Sequence, residues 1–265
     1  MHRAGLRKPG LLGAWLLAAL ALSGCTAPDA HAPPFANVPY APFSRTDAIA
    51  VAMGEWRLWG SRVDDDNDAG YVQSAPTMAE RQPGLWERVG EYWWQGLNAG
   101  HSYDRWTGKH NSKGQVFPVA ENGRFAWSAA FISYVMRMAG AGPDFPYAPD
   151  HAHYIDYAAR AAEGKIRNPE LIAENPAAYA PRLGDLVCFG RGWARDLTFQ
   201  DLPTGRSFPA HCAIVVAAAP GLLGAIGGNV EDAVVMQHLH TDAQGLLQGN
   251  AQHWFVVLQV EYKRG

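Results

Sequence analysis

Three polar residues, taken in chain order, have the types needed for nucleophilic catalysis. Ser128 opens an apolar stretch with helical spacing, which places it in the first turn of a buried helix. There, unpaired backbone N–H groups and the positive end of the helix dipole favour an oxyanion. His211 begins an apolar strand-like run, and Asn229 closes a Gly-Gly-Asn turn. Ser128 would be the nucleophile, His211 the general base and Asn229 the residue that orients the imidazole.

Each of these residues also has an ordinary structural interpretation. A serine at a helix start commonly caps the helix, and a strand histidine or turn asparagine can form local hydrogen bonds. Glu231, Asp232 and Gln237 are alternatives to Asn229 as the third residue. The candidates for lining the same cleft are Trp127, His151, His153, Glu231 and Asp232.

Two histidine pairs could each place two metal ligands on one face of a strand. They are His151 with His153 and His238 with His240. Neither pair has a clear cysteine or carboxylate partner, so the sequence predicts no metal site and no other cofactor.

The elements that would hold these residues fall into two groups. Helical patterns begin at Thr46-Asp47, near Pro83-Gly84 and at Ser128, and Gly140 ends the last of them. The second half has short strand patterns separated by Gly, Pro and Asn turns, over 186–189, 212–217, 222–226, 233–240 and 254–262. Helices followed by antiparallel strands predict an α+β fold in a single domain over 45–265.

The N-terminus predicts export and anchoring. Basic residues precede an apolar run from Leu11 to Leu22 that is too short to span a membrane comfortably. The run ends in LSGC at 22–25, which resembles the lipobox of bacterial lipoproteins. This predicts a signal peptide over 1–24 and lipidation of Cys25, which anchors the chain to a membrane. Thr26 after the cysteine favours the outer membrane, facing the periplasm, and the Pro-rich residues 25–44 would form a tether. An ordinary secretory signal is the alternative.

The remaining cysteines, Cys188 and Cys212, fall on two strands that would be neighbours. In an oxidising compartment they could form a disulfide, and otherwise they are two small buried side chains. Cys212 as the nucleophile is disfavoured, because alternation along a strand would turn it away from His211.

The charge of the chain bears on its partners. The formal net charge is −3, and removal of Arg3, Arg7 and Lys8 with the signal peptide would make it −6. A mildly acidic domain argues against nucleic acid as a partner.

Four motifs in the same order carry a resemblance to a known group of proteins. The run WSAAFISY at 127–134 resembles the "WCAAFVSW" helix of CHAP and NlpC-type cell-wall amidases and peptidases. LGDLV at 183–187, HCAIVV at 211–216 and IGGN at 226–229 resemble the strands and turn that follow it in those proteins. The resemblance implies a papain-like fold, with helices packed on a small antiparallel sheet or half-barrel. The chain is particularly similar to uncharacterised bacterial lipoproteins with a domain of unknown function, in which serine also stands at this position.

Ser128 occupies the position where the resembled enzymes have cysteine. A serine hydroxyl does not ionise near neutral pH, so its base must be well placed during attack. The resemblance therefore implies one of two functions. One is a Ser-His amidase or peptidase acting on peptidoglycan or another envelope peptide. The other is a catalytically inactive domain that binds cell-wall peptide or an envelope protein partner.

Overall fold

The structure is a computed structural model that describes residues 42–65, 78–97, 106–111, 113–118 and 125–262. Cys25, the signal peptide and most of the Pro-rich segment lie outside these residues. Phe43 is buried, and its ring lies 4.6 Å from that of Tyr262, so the end of the Pro-rich segment packs on the domain.

Four α-helices occur in the described part of the chain: α1 (Arg45–Leu58), α2 (Leu85–Gly96), α3 (Ser128–Met138) and α4 (His151–Ala162). The first is capped by Ser44, whose Oγ accepts from the N–H of Asp47, so the cap is not Thr46-Asp47. The last is capped by Asp150, whose carboxylate accepts from the N–H of His153. His151 and His153 therefore lie on a helix, where residues two apart point in different directions, and not on one strand face.

Six strands form one antiparallel sheet: β3 (Leu171–Glu174), β4 (Leu186–Gly190), β5 (Ala210–Ala219), β6 (Leu222–Val230), β7 (Ala233–His240) and β8 (Trp254–Val260). Their spatial order is β3-β8-β4-β5-β6-β7, with every neighbouring pair antiparallel. Two short strands, β1 (Trp106–Thr107) and β2 (His110–Asn111), pair separately. The described residues thus form helices followed by an open antiparallel sheet, and this confirms the predicted α+β layout.

The strands alternate between the two faces of the sheet, as a period of two requires. Leu186, Cys212 and Ile214 face the helical layer and belong to the main core. Val187, Ala213 and Val215 belong to a smaller cluster on the other face. Both faces are covered, so the strands read as continuous apolar runs.

Helix α3 runs through the middle of the helical layer and is buried along most of its length. Its residues from Ser128 to Met136 are all buried, and they pack against α2 and against β5 and β6. Full burial of a side chain such as Phe131 or Ile132 stabilises the fold by about 1.5–3 kcal/mol. The start of α3 is therefore held firmly against the strands that carry the other candidate site residues.

Cys188 and Cys212 form a disulfide. The sequence alone left open whether these two cysteines are bonded. The two residues stand directly opposite each other in the pairing of β4 with β5. His211 precedes Cys212, so the cross-link fixes the strand that carries this histidine.

In the described part of the chain, no helix has the length and apolar character needed to cross a membrane.

Candidate functional site

Ser128 is the first residue of α3 and lies at the floor of a pocket. Its side chain is 4% exposed. The preceding residue, Trp127, provides no side-chain cap for the helix. The backbone N–H groups of the first turn therefore remain available to stabilise a developing negative charge.

The histidine that contacts Ser128 is His151. Its Nε2 lies 2.8 Å from the Ser128 Oγ, and its ring is 3% exposed. His151 is the first residue of α4, and the cap made by Asp150 fixes the start of that helix. Two helix starts thus meet at one point, and they bring a hydroxyl and an imidazole within hydrogen-bond distance.

His211 does not take the position that the sequence predicted for it. It lies on β5 with its ring in an edge-to-face contact with His151, at 5.6 Å between ring centroids. No hydrogen bond joins it to Ser128 within the described ranges. The physical reason is that α4 places His151 in contact with the serine, while the His211 ring packs against the rings of His151 and, at 5.4 Å, Phe189.

Both histidines are held neutral at physiological pH. Burial is the main cause that lowers the pKa of His151 well below its usual value, and electrostatic interaction with His211 and with Arg191 lowers it further. Burial and the charge of Arg191 lower the pKa of His211 to about 3. A neutral imidazole keeps one nitrogen lone pair, so His151 can accept a proton from Ser128.

One nitrogen of each histidine is buried and has no hydrogen-bond partner among the described residues: Nδ1 of His151 and Nε2 of His211. Serine triads normally place a carboxylate or amide on the second nitrogen of the base. His151 has no such partner in the described structure, and its ring packs against His211 and Tyr154.

Asn229 does not orient the imidazole of His211. It lies at the end of β6 with a φ of 58°, and no hydrogen bond connects it to His211 in the structure described. The part of β6 that touches His211 is two residues earlier. A Cβ added to Gly227 would lie 2.5 Å from the His211 Nε2, and one added to Gly228 would lie 2.6 Å from the Cβ of Phe131.

Glu231 and Asp232 lie in the turn after β6 and do not line the pocket. The carboxylate of Glu231 forms an ion pair with Arg62 at 2.7 Å. Both have positive φ, as the tight connection between β6 and β7 requires. Gln237 is buried on β7 and also lies away from the pocket.

Trp127 is a core residue and not a wall of the cleft. Its side chain is fully buried and stacks on Trp59 at 5.3 Å. Its indole N–H donates to the Oε2 of Glu80 at 2.5 Å, and the Oε1 of Glu80 lies 3.2 Å from the Nζ of Lys109. Burial raises the pKa of Glu80, and the charge of Lys109 opposes that rise. This buried pair fixes the residue that immediately precedes Ser128.

The pocket over Ser128 and His151 has a volume of about 330 Å³. Besides these two residues it is lined by Arg191 and Trp193, which follow β4 in a short 3₁₀ turn, and by residues 207–210. His153 lies in an adjoining groove with Asp156 and Arg206. A larger pocket of about 690 Å³ lies beside β3 and the end of α4, but none of its lining residues is a Ser, Cys or His.

Sequence reasoning considered His151 as a cleft residue and as one of a histidine pair, but not as the partner of Ser128, and it missed Arg191 and Trp193 altogether. Asp150, followed by Ala152, Ile155 and Ala159 at helical spacing, was a usable signal that His151 starts a helix. Arg191 and Trp193 follow a strand in a Gly-containing turn, a pattern with no chemical signature of its own. No cluster of three or more metal-ligating side chains occurs in the described part of the chain.

Residues 80–260 match the model of a family described as "Uncharacterized protein conserved in bacteria (DUF2272)". No curated protein and no solved structure matches the chain. The matched region includes Ser128, His151, Arg191 and His211, whereas α1 precedes it.

Proposed function

We propose a function for this chain, which belongs to the bacterial family DUF2272: it is a Ser-dependent amidase or peptidase of the cell envelope, with Ser128 as nucleophile and His151 as general base. The observation that carries the proposal is the 2.8 Å contact between the Ser128 Oγ and the His151 Nε2 at the floor of a pocket. The family description does not name an activity, so the geometry of the site is what supports this one.

The proposed reaction follows from this geometry. The Ser128 Oγ attacks the carbonyl carbon of an amide while its proton passes to the His151 Nε2. The oxyanion is stabilised by backbone N–H groups at the start of α3. His151 then gives the proton to the leaving amine, and the C–N bond breaks to leave an ester on Ser128. A water molecule, deprotonated by His151, cleaves that ester and restores the serine.

The proposal extends to the fold and the substrate. A nucleophile at the start of a helix that packs on β5 and β6 supports a papain-like arrangement. His151 from α4 then serves as the base where His211 of β5 was expected. The motif resemblance supports peptidoglycan or another envelope peptide as the substrate.

We expect the full-length chain, purified in detergent, to react with a fluorophosphonate probe at Ser128, since the probe requires an activated serine hydroxyl. Labelling is read by intact-protein mass, and digestion of peptidoglycan by mass of the released products. Ser128→Ala should abolish both signals. Ser133→Ala is the matched control, because Ser133 lies on the same helix but bonds to Ala148 and Tyr154 away from the pocket.

A wild-type chain that neither takes up the probe nor releases wall fragments would remove the hydrolase proposal. The second candidate, a silent domain that binds wall peptide or an envelope protein in the same pocket, would then stand. It is favoured by one specific observation: in the described structure, the Nδ1 of His151 has no partner to orient it.

We also propose that Cys25 is lipidated and holds the domain at the outer membrane. The LSGC run at 22–25 supports this. We expect Cys25→Ser to move the protein from the membrane fraction to the soluble periplasmic fraction, because its acyl chains supply the anchor. Fractionation with immunoblotting measures it, and a variant that stays with the membranes would contradict the anchoring.

A further inference from the structure

We infer that the pocket takes an anionic acyl substrate: a peptide or N-acyl amino acid whose free carboxylate pairs with Arg191 close to the scissile carbonyl. This inference rests on the proposed function, since it names the substrate class of the same site. Arg191 would then determine substrate specificity, although it lies outside the sequence motifs around Ser128 and His211.

The first support is the position of Arg191. It lines the pocket together with Ser128 and His151. Its backbone is fixed on both sides, because its N–H donates to the Pro209 carbonyl at 2.8 Å and its own carbonyl accepts from Ala194 at 2.9 Å. An arginine on a fixed backbone can present its guanidinium as a planar two-point receptor for a carboxylate.

The second support is the balance of charge. In the part of the chain that the structure describes, no ion pair involves Arg191 or Arg206. Asp150 is the one acidic residue among those lining the pocket, and its carboxylate is engaged by the N–H of His153 at the start of α4. The positive end of that helix offsets the charge of Asp150, whereas the charge of Arg191 is not offset.

The third support is the effect of Arg191 on the floor of the pocket. Its charge contributes to the low pKa of both His151 and His211, so its field reaches the imidazole that contacts Ser128. The pocket therefore carries positive potential beside the neutral imidazole of His151. This positive potential would attract a carboxylate bound beside the serine. The imidazole itself is neutral, so the attraction comes from Arg191.

The fourth support is an exposed aromatic wall. Trp193 is 60% exposed although it lines the pocket, and the Arg206 guanidinium lies 5.0 Å from its ring centroid. The stacked guanidinium holds the ring in place and adds a second positive charge at the mouth. An exposed tryptophan next to a buried reactive pair offers a surface for the body of the acyl chain.

The test compares ligands that differ only in charge. The full-length Ser128→Ala chain, which cannot turn over a ligand, is titrated with N-acetyl-Ala-Ala of each stereochemistry, as the free acid and as the amide. Binding is measured by ligand-observed NMR. We expect the acid to bind about two- to fivefold more tightly than the amide for at least one stereoisomer, since an ion pair with the exposed Arg191 is worth about that factor. Adding Arg191→Gln should remove the preference, and adding Arg195→Gln, an exposed arginine outside the lining, should keep it.

Equal binding of acid and amide, no binding of either, or an equal loss for both in the Arg191→Gln variant would overturn the inference. Fluorophosphonate labelling of Ser128 reports on the hydrolase separately. A chain that prefers the acid but resists the label would keep the carboxylate site and lose the hydrolase.

Discussion

Replacing His151 by glutamine is expected to lower kcat for amide or ester hydrolysis by about 10²–10⁴-fold, the usual contribution of a general base. Glutamine retains a polar group near the Ser128 Oγ but cannot accept its proton. His153→Gln is the matched control, because His153 lies two residues along the same helix, is exposed, and should leave kcat near wild type.

His211→Gln separates the two histidines as candidates for the base. Its ring touches His151 but makes no bond to Ser128, so we expect a smaller loss than for His151→Gln. Urea unfolding of each variant shows that the comparison is made on folded protein. Loss of hydrolysis in His211→Gln, with His151→Gln still active, would return the role of base to His211.

The pH dependence of the wild-type reaction gives an independent check on His151. The base must be deprotonated to act, and its pKa in the fold is lowered well below 6.5. The acid limb of the kcat/KM profile should therefore lie below the pH at which an ordinary histidine titrates. A limb centred near 6.5 would argue for an exposed base.

The largest effect on stability is expected at Glu80. Glu80→Ala should lower the free energy of unfolding by about 3–5 kcal/mol, because it leaves the buried Lys109 without its partner. The indole N–H of Trp127 also loses its acceptor. The free energy is measured by urea unfolding. Glu91→Ala is the control, since the exposed pair of Glu91 with Arg88 should contribute less than about 1 kcal/mol.

A double substitution identifies the cause of the Glu80 effect. Glu80→Leu with Lys109→Met removes both charges and keeps apolar volume, so much of the lost stability should return. If Glu80→Ala alone costs less than about 1 kcal/mol, then the pair is not buried as described and Trp127 does not depend on it.

The α+β layout was largely predictable from local patterns, although α4 was not among the predicted helices. Helix α3 and strands β5 to β8 have continuous apolar runs bounded by glycine and proline, and they begin within a few residues of the predicted positions. β3 was missed because Leu171–Glu174 is four residues long and gains its strand character from pairing with β8. Such pairing is non-local, so no window of sequence contains it.

The site was only partly predictable, for the same reason. Ser128 at a helix start was visible as a local pattern, but the identity of its partner depended on how α4 packs. His151 and His211 are both single histidines at the start of apolar segments, and only the tertiary contact distinguishes them. Glu80 and Lys109 come from separate segments and form an ion pair next to Trp127. The local sequence of neither segment predicts this contact.

The two glycines of β6 behind the site restrict how this sequence can change over generations. Every substitution of a glycine introduces a Cβ, because every other amino acid has one. At Gly227 that atom would fall 2.5 Å from the ring of His211, and at Gly228 it would fall 2.6 Å from Phe131. A side chain at position 227 requires the His211 ring to move or to be replaced, and a side chain at position 228 requires the backbone of α3 to shift, because the contact there is with the Phe131 Cβ. The two positions therefore differ in how they can change: replacement of His211 makes room at position 227, whereas any residue with a Cβ at position 131 keeps the contact at position 228.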